Sequence, residues 1–305
     1  MLNKVVIFGV GLIGGSFARS LKKAGAVRTV VGVGRSAASM ARALELGIVD
    51  AVGVASDAAS LAEALHGADL VLLAAPVAQT EAILAAIAPH LQAGTVVTDA
   101  GSTKSDVVAA ARRALGAKVA QFVPGHPIAG RETNGPDAAI DDLYVGKKVV
   151  ITALPENAAE DVERVAQAWR DCDAVIHRLR PEEHDKVFAA VSHLPHLLAY
   201  ALVDDIARKP HADLLFQYAA SGFRDFTRIA GSSPEMWRDI SLANQTALLT
   251  ELDAYMAQLT ILRAQLAAGD GAGLECVYSN AQHARHQWIT AIETAEAPPS
   301  QDKAD

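Results

Sequence analysis

The chain has 305 residues, enough for two domains, and 51 % of them are apolar while only 5 % are aromatic, a balance that favours closely packed helices. Its net charge of −8 implies no basic surface and argues against a nucleic-acid partner. Cys172 and Cys276 lie far apart without metal-ligand spacing, no signal-peptide pattern precedes the first strand, and no apolar run reads as long enough to cross a bilayer. Neither disulfide, metal nor membrane is therefore expected, and the expected location is cytoplasmic.

Val5-Val6-Ile7-Phe8 reads as a buried parallel strand. It runs into Gly9-Val10-Gly11-Leu12-Ile13-Gly14, which has the spacing G-x-G-x-x-G and opens an apolar helix through Leu21. Gly9 permits the sharp turn, Gly11 lets backbone approach a pyrophosphate, and Gly14 lets the helix lie close on the strand. The helix N-terminus offers unpaired N–H groups and partial positive charge to phosphates. The bland alternative is a tight strand–helix turn with no ligand.

Thr29–Val33 reads as the second strand, Ala37–Leu46 as a helix, and Gly47 as its stop. An acid roughly 20 residues after the glycine turn usually binds the ribose 2′-OH of NAD. Here that place reads Gly32-Val33-Gly34-Arg35-Ser36, and the first acid in the chain is Glu45. Arg35 and Ser36 offer a cation and a hydroxyl where a 2′-phosphate would sit, so NADP is favoured, with NAD as the alternative. A solvated Arg35 is the structural alternative.

Further strands read at Leu70–Ala74, Thr95–Thr98, Gln121–Val123 and Lys148–Thr152, with helices at Thr80–Ile87 and Lys104–Leu115 between them. The alternation predicts an α/β fold, an N-terminal doubly wound, mostly parallel sheet of Rossmann type covering residues 1–155. Ligands of such sheets bind beyond the carboxyl ends of the strands. Leu12, Ile13, Ala75 and Pro76 thus join Gly9, Gly11 and Gly14 in the expected cofactor site. From Ala158 the pattern is helical apart from one short strand at Ala174–His177, and an all-helical substrate and dimerisation domain is expected over 156–296. Glu182–Leu202 and Met236–Ala267 carry more apolar face than one protomer buries, which predicts a homodimer. Residues 297–305 read as a disordered tail.

Three segments could carry chemistry. In Thr98-Asp99-Ala100-Gly101-Ser102-Thr103-Lys104, Ser102 is either a helix N-cap or a hydroxyl beside nicotinamide. In Pro124-Gly125-His126-Pro127, His126 lies in a rigid polar turn with the right pKa range to take a proton during an oxidation. In the helical half, Ser192-His193-Leu194-Pro195-His196, Ser221-Gly222-Phe223-Arg224-Asp225-Phe226-Thr227-Arg228 and Met236-Trp237-Arg238-Asp239 read either as an anion-binding site or as a salt-bridged helix–loop–helix.

Taken in order, the strings GVGLIGGS, DAGSTK, PGHPIAGRE, SHLPH, GFRDFTRIA and MWRDI resemble the TyrA family of prephenate and arogenate dehydrogenases, from Val5 to about Asn244. The resemblance implies oxidative decarboxylation of prephenate to 4-hydroxyphenylpyruvate in tyrosine biosynthesis, with an arogenate-preferring or dual enzyme as the alternative. It makes His126 the catalytic base and Ser102 its hydrogen-bonding partner, and Ser102 also borders the cofactor. It assigns Arg228 to the ring carboxylate, Asp225 and Glu132 to the entrance network, and His193, His196 and Trp237 to the substrate pocket. Arg131 stands where many members have Thr, and would bind the substrate's side-chain carboxylate or pair with Glu132. Neither a preceding chorismate mutase domain nor a following ACT domain is expected. Two rival readings are a β-hydroxyacid dehydrogenase using Lys186 and a non-catalytic NADP-binding sensor.

Overall fold

A computed structural model describes residues 1–131 and 133–296; the expected disordered tail at 297–305 and Glu132 lie outside the described residues. Six strands, β1 (Leu2–Phe8), β2 (Val27–Gly34), β3 (Ala51–Val54), β4 (Leu70–Leu73), β5 (Val96–Asp99) and β6 (Phe122–Val123), form one all-parallel sheet in the order β3-β2-β1-β4-β5-β6. The helices α1 (Leu12–Lys23), α2 (Ala37–Glu45), α3 (Ala58–Leu65), α4 (Thr80–Ile87) and α5 (Ser105–Leu115) alternate with them. Strand pleating sends Val5 and Ile7 of β1 into one core and Val6 and Phe8 into the other, so the sheet is covered on both faces. This is the doubly wound arrangement expected. Its order reverses at β1 and β4, and that switch point is where such sheets leave a crevice for a ligand.

A second sheet joins β7 (Gly125–Pro127), β8 (Lys148–Ile151) and β9 (Val175–Arg178), with β7 antiparallel and β9 parallel to β8. His126 pairs with Val150 and is 9 % exposed. It sits in a buried strand and not in the expected polar turn, because Pro124 ends β6 and hands the chain to this second sheet. The helix α6 (Ala159–Arg170) sets Trp169 against Phe17 of α1 with ring centroids 4.5 Å apart, and Val165 and Ala166 share a core with Val5 and Ile7. The division expected at 155/156 therefore falls inside one packed core.

Beyond it come α7 (Pro181–Phe188), a π-helical turn at Ala189–His193, α8 (Leu194–Ala207), α9 (Ala212–Gln217), α10 (Ser221–Thr227), α11 (Pro234–Ala243), α12 (Gln245–Ala268) and α13 (Gly271–Glu296). The long helical stretches of the sequence are interrupted twice. The π turn breaks the first, and Asn244 breaks the second between α11 and α12. Pro181–Ala207 has the length and mean hydropathy, 1.3, to cross a membrane, contrary to the sequence-based expectation. Its His184 and Asp185 are nevertheless hydrogen-bonded to β7 and to the start of α5. Two compact units result, Met1–Leu248 and a second from Leu249 onward. In the second, Met256, Leu259, Ile261, Leu266, Tyr278 and Trp288 are exposed.

The glycine turn shows why its sequence is constrained. Gly9 has φ +93°, and a Cβ there would stand 2.7 Å from the Ala74 carbonyl oxygen. A Cβ on Gly14 would strike the Gly9 carbonyl and lie 2.8 Å from Ile7 Cγ2. Gly14→Ala should destabilise the protein by about 1–3 kcal/mol, read as a lowered Tm, because backbone cannot yield as a flexible side chain does. An unchanged Tm would show that the helix relaxes away from β1 without cost.

Candidate active site

The first part of the site is the cradle between β1 and α1. A Cβ on Gly11 would meet nothing within 4 Å, so this residue faces open space where its neighbours are tightly packed. Gly11 is the N-cap of α1, no side chain caps that end, and its first turn carries no acid. The free N–H groups suit a pyrophosphate. Leu12 and Ile13 form the first turn, Ile13 being braced by its carbonyl accepting from the Tyr144 hydroxyl at 2.6 Å. Ala75 and Pro76 follow β4 after one residue, Ala74. These residues fit a dinucleotide.

At the end of β2, Arg35 is exposed. Ser36 caps α2, its hydroxyl accepting from Ser39 N–H at 3.2 Å. The first acids beyond it are engaged elsewhere: Glu45 pairs with Arg42 at 2.8 Å and Asp50 with Lys22 at 2.7 Å.

The second part surrounds His126. Both backbone groups of Gly125 are clamped: its N–H donates to Asp99 Oδ1 at 3.0 Å, and its carbonyl accepts from Lys104 Nζ at 2.8 Å. Lys104 and Asp99, both buried, are themselves ion-paired. The DAGSTK segment thus fixes the strand that bears His126. His126 Nδ1 lies 2.8 Å from His184 Nε2, and His184 Nδ1 lies 2.9 Å from Asp185 Oδ1. Asp185 also accepts the N–H groups of Lys104 and Ser105, each at 2.8 Å. A carboxylate from α7 therefore caps α5. This overturns one expectation for Ser102: it is not the N-cap, since Lys104 occupies that position without a side-chain bond. Among the described residues, the Nδ1 partner of His126 is His184. Ser102 remains at the β5–α5 turn, half-buried.

Burial, then the neighbouring His184, Lys104 and His193, hold His126 well below the ordinary histidine value. It is neutral at physiological pH. Burial also depresses His184, against the pull of Asp185. Burial alone would raise Asp185, but hydrogen bonds from His184 and Ser105 overcome it and bring the carboxyl down to about 2.

The third part is helical. The π turn ends at His193, which is pushed down to about 4, first by burial and then by His184. Asn244, at the α11–α12 break, donates through Nδ2 to the Asp185 carbonyl at 2.8 Å and meets His193 Nδ1 at 3.1 Å. The His196 ring stacks on Trp237 with centroids 3.5 Å apart, and His193 meets the same indole edge-on at 6.0 Å. Burial and the Arg228 charge lower His196, which places Arg228 within electrostatic reach of the stack. Among the described residues, Trp237 Nε1 is a buried nitrogen without a hydrogen-bond partner. The structure thus brings together His126, His193, His196 and Trp237, with the exposed Arg228 within electrostatic reach of His196. Arg131 and Asp225 are exposed, and no hydrogen bond or ion pair among the described residues ties either to this group.

The same lineage appears in known proteins. Residues 17–178 match the model for the prephenate dehydrogenase nucleotide-binding domain, and residues 180–278 match that for its dimerization domain. The chain belongs to the prephenate dehydrogenase family. It is 36 % identical over 287 residues to a cyclohexadienyl dehydrogenase of Zymomonas mobilis, covering 93 % of this chain and 96 % of the other. It is 33 % identical to a prephenate dehydrogenase of Bacillus subtilis, over 93 % of this chain and 76 % of that one. The crystal structure of Aquifex aeolicus prephenate dehydrogenase with hydroxyphenyl propionate and NAD+ superposes with a TM-score of 0.83 at 35 % identity, covering 96 % of this chain and 99 % of that chain. As a member of this dehydrogenase family, the chain is an NAD(P)-dependent oxidoreductase, which displaces the β-hydroxyacid dehydrogenase and sensor readings.

His184, Asp185 and Asn244 escaped the sequence reading. Glu182-Glu183-His184-Asp185-Lys186 looks like a solvated charged turn. The signal was periodicity: Pro181, His184, Asp185 and Phe188 are spaced i, i+3, i+4, i+7 and form one buried face.

Proposed function

We propose that this enzyme converts prephenate to 4-hydroxyphenylpyruvate with reduction of NAD(P), as a step of tyrosine biosynthesis in the cytoplasm. The observation that carries this reading is the buried, neutral His126 in one cluster with His193, His196 and Trp237, whose His196 feels the charge of Arg228. His126 accepts the proton of the substrate's C4 hydroxyl through its second ring nitrogen. The nicotinamide, when bound, supplies the hydride acceptor, and Gly9, Gly11, Gly14, Leu12, Ile13, Ala75, Pro76 and Ser102 hold the dinucleotide. Arg228 grips the ring carboxylate until it leaves as carbon dioxide, a loss that makes the ring aromatic. His193, His196 and Trp237 line the pocket, the family resemblance gives Asp225 and Glu132 roles in the entrance network, and Arg131 is the candidate for the substrate's side-chain carboxylate. The work asked of the protein is orientation, one base and a cationic grip.

NADP is the favoured cofactor. Arg35 is exposed, and the first acids that follow it are already ion-paired. Arg35→Glu should raise the KM for NADP by tenfold or more, the equivalent of about 1.5 kcal/mol for a lost charged hydrogen bond, and change that for NAD far less. Equal effects on both would remove the assignment. A homodimer is supported by the exposed apolar side chains of α12 and α13 and by the description of the C-terminal family model. Dual use of prephenate and arogenate is a second reading, favoured by the relative that is a cyclohexadienyl dehydrogenase. Steady-state kinetics with both substrates and both cofactors test the whole proposal. Efficient oxidation of prephenate is expected, and no turnover of either substrate would end it.

A further inference from the structure

We propose that His184, Asp185 and Asn244 are positioning residues that lock the two central imidazoles, His126 and His193, into opposite tautomers before substrate arrives. The inference rests on the reading of His126 as the base and adds how its reactive nitrogen is selected.

The hydrogen-bond chain permits one assignment of protons. Asp185, held ionised, has only acceptor atoms, and Oδ1 faces His184 Nδ1 at 2.9 Å. His184 must therefore carry its proton on Nδ1. A neutral imidazole has one N–H, so His184 Nε2 is bare and accepts. His126 Nδ1, 2.8 Å away, must then be the donor. The remaining nitrogen of His126, Nε2, is left with its lone pair free.

His193 is set the other way by the same residue. The backbone carbonyl of Asp185 accepts from Asn244 Nδ2 at 2.8 Å, which identifies that atom as the amide nitrogen. Its second hydrogen meets His193 Nδ1 at 3.1 Å. His193 Nδ1 therefore accepts, and the single proton of this neutral ring sits on Nε2, where a hydrogen bond to the Ser102 backbone favours the protonated nitrogen against burial. Asp185 thus keys both rings, one through its carboxylate and one through its carbonyl. The site presents one bare nitrogen and one N–H, without either ring being charged.

The locking is anchored outside the site. The Asp185 carboxylate also caps α5 through Lys104 and Ser105, and Lys104 holds the Gly125 carbonyl next to His126. A change in the carboxylate would move the β7 strand as well as the proton. When His126 Nε2 takes the substrate proton, the ring becomes an imidazolium whose Nδ1–H still donates to His184. The charge faces the Asp185 carboxylate across one neutral ring, and no second proton need move.

The test uses the full chain with NAD+ bound and histidine labelled with 15N. Long-range proton–nitrogen correlation distinguishes protonated from bare ring nitrogens, and the His126→Gln and His193→Gln variants assign the two rings by loss of their signals. The expected result is a protonated Nδ1 and bare Nε2 for His126, and the reverse for His193. A protonated Nε2 on His126, or the same tautomer on both rings, overturns the proposal. This readout needs no substrate, so a chain that shows the two tautomers yet oxidises no cyclohexadienyl compound would refute the proposed reaction and leave the tautomer assignment standing.

A kinetic pair adds a second readout. His184→Phe keeps a ring against Phe188 but removes the acceptor, and should lower kcat about tenfold or more with the substrate KM within about twofold. His184→Gln places a carboxamide oxygen where Nε2 was and should restore most of the loss. Equal kcat for the two variants would contradict the role of His184. If His184→Phe does not fold, the wild-type spectrum still decides.

Discussion

Replacing His126 by Asn should lower kcat by about 10²–10⁴-fold, the usual worth of a positioned general base, with little change in the substrate KM. Asn preserves the polarity of the buried position in β7 but offers no group that takes a proton. The surrounding clamp of Asp99, Lys104 and Gly125 does not depend on the imidazole, so the fold should survive. The same assignment fixes the pH dependence. Burial, His184, Lys104 and His193 all disfavour the protonated ring, so the base form persists on lowering the pH through neutrality. The acid limb of kcat should therefore lie below pH 6.5, the ordinary value of a histidine. A limb at or above that value, or full kcat in His126→Asn, would show that another group takes the proton.

Arg228→Ala should act on binding. The charge of the exposed Arg228 reaches His196, and His196 stacks on Trp237 beside His193, so a carboxylate bound near this cluster feels the guanidinium. A carboxylate held there is gripped alike in the bound substrate and in the transition state, since its charge disappears only as carbon dioxide departs. Losing charge-assisted hydrogen bonds worth roughly 1.5–3 kcal/mol should raise the substrate KM roughly 10- to 150-fold with kcat little altered. Arg228→Lys should fall between, because an ammonium keeps the charge and loses the fork. A fall in kcat at unchanged KM would instead place Arg228 at the reacting atoms.

Local signals made much of this structure readable in advance. The glycine spacing after a β-branched run located β1 and α1, and the expected helix at Thr80–Ile87 matches α4 residue for residue. Elements that owe their form to tertiary contact were harder to see. Strand β3 is a short, mostly exposed edge containing Gly53, with almost no hydrophobic alternation to betray it. Strand β7 is three residues that follow Pro124 and end on Pro127, and only its pairing with β8 makes it a strand. The site followed the same rule. His126, His193, His196, Trp237 and Arg228 stood in recognisable strings, whereas the partner of His126 did not. Its place before a helix made Ser102 the expected cap of α5, but that cap came from Asp185, some 80 residues away, and brought His184 with it. The π turn and the break at Asn244 interrupt helical periodicity where it places His193 and its donor, and departures of that kind tend to mark functional positions.

In the proposed reaction a base from the nucleotide-binding part and a guanidinium from the helical part act on one bound substrate. The most direct measurement is a crystal structure of the His126→Asn variant with NAD+ and prephenate, in which slow turnover preserves the substrate. The C4 hydroxyl oxygen should lie within about 3.2 Å of the residue 126 side chain, or one water away, and the ring carboxylate should be hydrogen-bonded to Arg228. A substrate bound with its hydroxyl away from residue 126, or with its ring carboxylate held by another group, would contradict the account.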